Sequence, residues 1–390
     1  MAKEPEGAQA AHEKSSKLAD PLRFPQKVQM SMPAIEILKT GLLDRRESAF
    51  PQAVQLPNGD VLCSFSVGGG AEVIGGTDWA RSTDGGETWH MEGTLLPPDR
   101  ANGLANFLKL SLSADGETVF AYGAEIDNDI SKPFGERAAH AVLCRSTDNG
   151  RTWSSPARVP MGVDCPLEIS CAALPLKSGR LLAPAATLAD GDTLGERVFV
   201  AISDDGGATW PRHATVFHDP EGNRGFFEHK LTELPSGDVL ATAWTVTLGD
   251  YRDLPNRFSL SKDGGLTWGP ARSTGIQGQT LSTLSLGSDR LLALYNRRHG
   301  QQAVMICLAT IRDEKWTVQE EQILYDARAF YHRSDSVSSV PISTGIKEFD
   351  AFAFGFPTAI TLADGTILAT HWCVENGKCG IRWTKLKVDW

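Results

Sequence analysis

An eight-residue pattern, S-x-D-x-G-x-T-W, returns four times along this 390-residue chain, and a fixed repeat constrains a fold more than any other feature of a sequence. The copies are Ser82–Trp89, Ser146–Trp153, Ser203–Trp210 and Ser261–Trp268, and Ile311, Asp313 and Trp316 outline a degenerate fifth. The period is about 60 residues, the length of one four-stranded unit. The chemistry is that of a hairpin turn. The aspartate accepts backbone N–H groups, the glycine supplies a positive φ, and the serine and threonine hydroxyls bond locally. Four equivalent acids spread over so much chain cannot converge on one site, so the aspartates are structural. The tryptophans Trp89, Trp153, Trp210 and Trp268 are expected at equivalent buried positions, each covered by a neighbouring layer.

A second repeat is interleaved with the first: an apolar strand, a tight polar turn, then another apolar strand. It occurs at residues 49–66, 108–123, 168–187, 228–245, 279–296 and 356–372. Hairpin, outer strand, turn and last strand make a four-stranded antiparallel blade, and six such units predict an all-β, six-bladed β-propeller with Asp-box hairpins. The last unit has only three strands of its own. Ala34–Leu38 is expected to supply the fourth, closing the ring and leaving no open sheet edge. Residues 1–24, charged and without an apolar core, read as a disordered lead-in to a single domain over 25–390. The lead-in does not have the pattern of a signal peptide, which implies either cytoplasmic residence or a leader already removed.

Composition excludes several function classes. A net charge of −10 argues against a nucleic-acid or anionic-membrane partner, and no run approaches the roughly 18 apolar residues of a membrane span. Seven cysteines contain no CxxC pair, so neither a metal nor a cofactor is called for; Cys373 and Cys379 flank one turn, and whether they pair is left open, as is the oligomeric state.

The four boxes on a hairpin-rich chain resemble the BNR/Asp-box, sialidase-like superfamily, over roughly residues 26 to 390. The resemblance implies a propeller and a carbohydrate substrate. Sialidases of this superfamily use a tyrosine nucleophile paired with a glutamate, an acid/base aspartate and three arginines that clamp the substrate carboxylate. Glu228 matches the glutamate. The first arginine is missing from Ser48-Ala49-Phe50-Pro51, Trp244 stands where the second would be, Arg297 and Arg298 fall near the third, and Phe356 replaces the tyrosine. A sialidase mechanism is therefore not expected unless Tyr295, Tyr251 or Tyr331 substitutes as nucleophile.

Ligands of propellers bind where inner strands open and second strands end. Reading those positions from the repeats gives Glu228, Glu168, Tyr295 and His299 as catalytic candidates. Arg297, Arg298, Gln279, Trp244, His371, Arg257, Glu47 and Phe356 are candidates for binding substrate. Indoles stack on sugars, arginines fork onto carboxylates, and carboxylic acids with shifted pKa serve as acid and base. The expected function is a glycoside hydrolase on a terminal, possibly acidic, sugar. The alternatives are a lyase on uronic-acid glycans, using His229, Tyr295, Arg297 or His299, and a non-catalytic glycan-binding propeller.

Overall fold

The computed structural model describes residues 33–132, 135–189, 192–298, 300–330 and 353–390, so the expected lead-in lies outside the described residues. The compact unit Pro33–Trp390 is a ring of six antiparallel sheets with two short 3-10 turns. Blade 1 is Ser48–Gln55, Val61–Val67, Gly76–Ser82 and His90–Leu96. Blade 2 is Leu104–Leu112, Val119–Asp127, Ala139–Ser146 and Ala157–Arg158. In blade 3 the inner strand is broken into Leu167–Glu168 and Leu174–Pro175, both paired with Leu181–Leu188, and Leu194–Ser203 and Arg212–His218 follow. Blade 4 is Arg224–Glu233, Val239–Thr247, Asp253–Ser261 and Arg272–Ser273; blade 5 is Gln279–Ser285, Arg290–Arg297, Ala303–Arg312 and Lys315–Asp326. Blade 6 takes Phe354–Thr361, Ile367–Glu375 and Lys378–Asp389 from one end of the chain and Ala34–Asp44 from the other, so the ring closes as the sequence suggests. Near this seam Gly41 passes under Trp383, where an added Cβ would stand 2.7 Å from the indole.

The Asp boxes fasten blades 1 to 4 each to the blade before it. In all four, the aspartate accepts the threonine N–H at 2.9 Å and its hydroxyl at 2.6 Å, and the serine hydroxyl donates to the same carboxylate. These bonds hold the carboxylates below their ordinary range, as in Asp148 at about 2. The second glycine has φ between 80° and 89° and abuts a leucine of the preceding blade: Gly86 on Leu368, Gly150 on Leu62, Gly207 on Leu143 and Gly265 on Leu182. No side chain fits there and no other residue adopts that backbone without strain. The degenerate fifth copy keeps only its tryptophan: the turn is Asp313–Glu314, with φ of 49° and 57°, and Trp316 packs 5.8 Å from Phe258 of blade 4.

The tryptophans are not equally buried, contrary to the expectation. Trp210 is 7% exposed, whereas Trp89, Trp153 and Trp268 are half-buried. Trp210 lies in a cluster with Leu143, Val159 and Met161 that seals the joint between blades 2 and 3. Trp210→Ala should therefore cost on the order of 3–5 kcal/mol in chemical denaturation, and Trp89→Ala clearly less; equal losses from the two variants would contradict this reading of the joints.

Candidate active site

The inner strands share one irregularity. In blades 1, 4, 5 and 6 the ladder slips where a residue takes left-handed backbone: Phe50 (φ 57°), Glu228 (φ 45°), Thr280 (φ 56°) and Phe356 (φ 52°). Left-handed non-glycine residues are strained and collect at functional sites. These four are equivalent positions around the axis. Gln279 was assigned to this slot from the sequence; the slip in blade 5 moves the slot one residue on, to Thr280, and leaves Gln279 buried beside Arg298.

Three of the four, Phe50, Glu228 and Phe356, line a cavity of about 450 Å³ at the mouth of the channel. Phe107 completes an aromatic floor, its ring 5.6 Å from Phe50, which in turn stands edge-on to Phe356 at 5.5 Å. Trp244 forms a wall, braced by a bond from Nε1 to Asp253 Oδ1 of 2.8 Å and by Phe227 at 5.4 Å. Ala71, Val73, Ile126 and Ile130 make one side of the rim. The depression between Trp268 and Glu314 lies at an Asp-box turn, away from these groups.

Three carboxylates line this cavity: Glu168 and Glu228 deep in it, and Glu72 exposed on the rim, where Lys132 and Arg137 also stand. Glu168 Oε2 accepts the Glu228 N–H at 3.3 Å, and Glu228 Oε2 accepts the Thr280 hydroxyl. Burial pushes Glu228 up to about 7; the Glu168 charge adds to the rise, and Lys230, Arg298 and Lys109 oppose it. Burial raises Glu168 as well, against a bond from Ser170 and the two lysines. The pair thus combines a group that is half protonated near neutrality with a second carboxyl that anchors it. Below the cavity, Lys109 and Lys230 are buried, their ammoniums 4.1 Å over Phe107 and 3.8 Å over Phe356.

Of the residues named from sequence, Glu228, Glu168, Trp244 and Phe356 line the cavity. Arg298 stands behind it, 3% exposed, donating from Nε to Gln279 Oε1 at 3.0 Å and from Nη2 to Phe354 O at 2.6 Å. Arg297 turns away, as strand alternation requires of one of two neighbours, and bonds Gln301 O at 2.8 Å. Tyr295 is sealed between blades 4 and 5, donates to Glu321 Oε1 at 2.7 Å and is pushed up mainly by burial. His371 is fully buried against Tyr325 and pushed down to about 4 by burial. Arg257 lies on the third strand of blade 4 between Ala243 and Ser273, and Glu47 is exposed near Cys379; neither lines the cavity. Tyr251 is buried, with its hydroxyl accepting the Leu194 N–H, while His299 and Tyr331 lie outside the described residues. Cys373 pairs with Gly380 and Cys379 with Val374 in the ladder, and both thiols are free. Among the described residues, no group of three His, Cys, Asp or Glu side chains is arranged to hold a metal ion, and no helix is long and apolar enough to cross a membrane. The sequence reading missed Phe50, Phe107, Thr280, Lys109 and Lys230. Lys109 did leave a signal, standing between Leu108 and Leu110 in an inner strand that is mostly apolar; Lys230, next to Glu228 and His229, did not.

Six blades, a closed ring, Asp boxes on the turns and an acid-bearing cavity at the mouth define a sialidase-like propeller. The chain belongs to the BNR repeat-like domain family, whose model matches residues 130–368, and the BNR/Asp-box repeat matches residues 80–91. A sialidase from Micromonospora viridifaciens is 26% identical over 242 residues, covering 56% of this chain and 35% of that protein; the chain thus spans about a third of that relative's length. A Dyadobacter fermentans protein of unknown function has the same fold at a TM-score of 0.71, with 21% identity over 91% of this chain and 99% of its own. The alpha-L-arabinanase of Penicillium chrysogenum, complexed with arabinobiose, superposes at 0.62 with 16% identity, covering 90% of this chain and 98% of its own. The NanB sialidase of Streptococcus pneumoniae does so at 0.62 with 12% identity, covering 90% and 70%.

Glu228 has a folded-state value near 7 against an ordinary 4.5. Over that interval the folded chain binds more protons than the unfolded one, so the stability from this group is complete below about 4.5 and is lost as pH rises through about 7. The melting temperature of the wild type should fall between pH 5 and pH 8 by more than that of Glu228→Gln; parallel profiles would show that the carboxyl titrates normally.

Proposed function

We propose that this chain is a glycoside hydrolase that acts on a terminal sugar with two carboxyl groups, and that it is not a sialidase. The observation that carries this reading is the pairing of Glu228, raised to about 7, with Glu168 in one aromatic-floored cavity. Glycosidases need one carboxyl protonated at working pH to give its proton to the leaving oxygen. They need a second carboxylate to activate water or stabilise the positive charge that develops at the anomeric carbon. In this assignment Glu228 donates its proton to the glycosidic oxygen as the C–O bond breaks. Glu168 then takes a proton from the attacking water. Trp244 and the three phenylalanines offer apolar faces to the sugar ring.

Several features support the reading against its competitors. Phe356 occupies the sixth-blade slot and has no nucleophilic atom, and Tyr295 and Tyr251 are sealed within the blades. Arg297 is turned from the cavity and Arg298 is committed to Gln279 and Phe354. A lyase built on Tyr295, Arg297 or the fully buried His229 loses its base for the same reason. The fold relatives include a sialidase and an arabinanase bound to arabinobiose, so this propeller hosts glycosidases of more than one specificity.

The test is hydrolysis of a panel of aryl glycosides. Wild type should release aryl alcohol from at least one, and Glu228→Gln and Glu168→Gln should each lower the rate by about 10²–10⁴-fold. The rate should fall as pH rises above about 7, where Glu228 loses its proton. A fluorogenic N-acetylneuraminide should be turned over poorly or not at all. Efficient sialoside cleavage, or undiminished turnover by Glu228→Gln, would overturn the assignment; an ultraviolet-absorbing unsaturated product would point to the lyase instead.

A further inference from the structure

The blades are joined near the axis by side chains that donate to main-chain carbonyls of a neighbour. Ser64 of blade 1 bonds Leu108 O of blade 2 at 2.8 Å, and Thr242 of blade 4 bonds Leu281 O of blade 5 at 2.5 Å. Ser282 of blade 5 bonds Pro357 O of blade 6 at 2.6 Å, and Thr358 of blade 6 bonds Pro51 O of blade 1 at 3.3 Å. Neutral hydroxyls suffice at these four joints. The two joints of blade 3 use lysines instead. Lys109 of blade 2 donates to Ile169 O at 3.2 Å, and Lys230 of blade 4 donates to Ser170 O. Lys109 is fully buried and Lys230 is 6% exposed. A buried ammonium carries a penalty of several kcal/mol that a serine would avoid, so joining blades does not account for the choice.

What sets blade 3 apart is its acid. Its inner strand breaks immediately after Glu168 and resumes only at Leu174, so Ile169 and Ser170 have no ladder partner. Those are the two residues whose carbonyls the lysines take, one from each side. The same ammoniums lie against Phe107 and Phe356, the rings that floor the cavity. We infer that Lys109 and Lys230 are positioning residues for the carboxyl pair: they hold the segment that carries Glu168 and set their two amines beneath Glu168 and Glu228. This rests on the reading of those carboxyls as the working pair.

The groups facing Glu228 are Lys230 on its own strand, Glu168 from blade 3, Arg298 from blade 5 and Lys109 from blade 2, with the Thr280 hydroxyl on Oε2. His229, 3.8 Å from Glu168 Oε2, is pushed down to about 3 chiefly by burial and stays neutral. Lys230 is the largest opposing charge on Glu228, so its removal acts upward on that carboxyl. A purely mechanical tie would have no such effect.

The experiment is a carboxyl NMR titration of the full chain labelled at glutamate, with the Glu228 signal assigned by its loss in Glu228→Gln. Lys230→Gln retains a donor for Ser170 O but removes the charge; the Glu228 midpoint should rise by about one pH unit. Lys109→Gln should raise it less, and Thr242→Val, which breaks a neutral joint, should leave it in place. If Lys230→Gln does not fold, Lys109→Gln against Thr242→Val decides alone. Unmoved midpoints in the lysine variants, or an equal shift in Thr242→Val, would overturn the inference. The titration needs no turnover, so a failure of the hydrolase reading, seen as undiminished rates in Glu228→Gln, is distinguishable from a failure of this one.

Discussion

In four of the six blades the innermost ladder slips by a residue near the axis, and much of this molecule is organised around that slip. At Phe50, Thr280 and Phe356 the inner strand turns left-handed, and the carbonyl of the next residue, Pro51, Leu281 or Pro357, is taken by a hydroxyl of the preceding blade. Each such residue carries about 1–2 kcal/mol of backbone strain, and the bond it frees for the neighbour offsets that strain while joining the blades. The same distortion aims a side chain into the channel. Ring closure and site construction are thus consequences of one backbone event.

The two ends of each blade then have separate duties. Asp boxes, built from a serine, an aspartate, a glycine and a threonine within one turn, lock blades 1 to 4 each onto a leucine of the one before. Their bonds are local and indifferent to what lies in the channel. The four left-handed slots, by contrast, hold Phe, Glu, Thr and Phe and tolerate different chemistry at equivalent positions. A scaffold held at its rim by turns can therefore change the residues of its mouth without losing its shape.

These duties explain what the sequence made legible. The boxes are contiguous motifs with a mechanism, so they made the period legible, and the interleaved strand-turn-strand repeat supplied the blade count and the closing strand at Ala34. Glu168, Glu228, Trp244 and Phe356 were legible because each opens or ends a strand at the same height of the repeat. The register slip was not. It moved the slot from Gln279 to Thr280, because a bulge adds a residue without leaving a mark in an apolar run. Nor could alternation alone say that Arg297 turns outward while Arg298 is buried against Phe354. Phe50 and Phe107 looked like core aromatics; they reach the cavity because the inner strands meet there. Lys109 stands out in a mostly apolar strand and Lys230 does not, and the partners of both are carbonyls some sixty residues away, which no local pattern reveals.

The residue at the sixth-blade slot decides which chemistry the remaining groups must perform. A phenol there would stand over the Lys230 ammonium, a setting that favours its ionised, nucleophilic form. Phe356 instead presents a ring face to that ammonium at 3.8 Å, which exploits the charge without creating a nucleophile. In the proposed reading Phe356 leaves no nucleophile at this position, and the lysines beneath the cavity act on the carboxyl pair. Lys230 and Lys109 oppose the rise that burial imposes on Glu228, and its value settles near 7 rather than higher. A carboxyl poised there gives up a proton and takes it back at neutral pH with little driving force wasted in either direction. In the proposed hydrolase reading, Phe356 and the two lysines are thus two parts of one arrangement, in which the work of the mouth falls to Glu228 and Glu168.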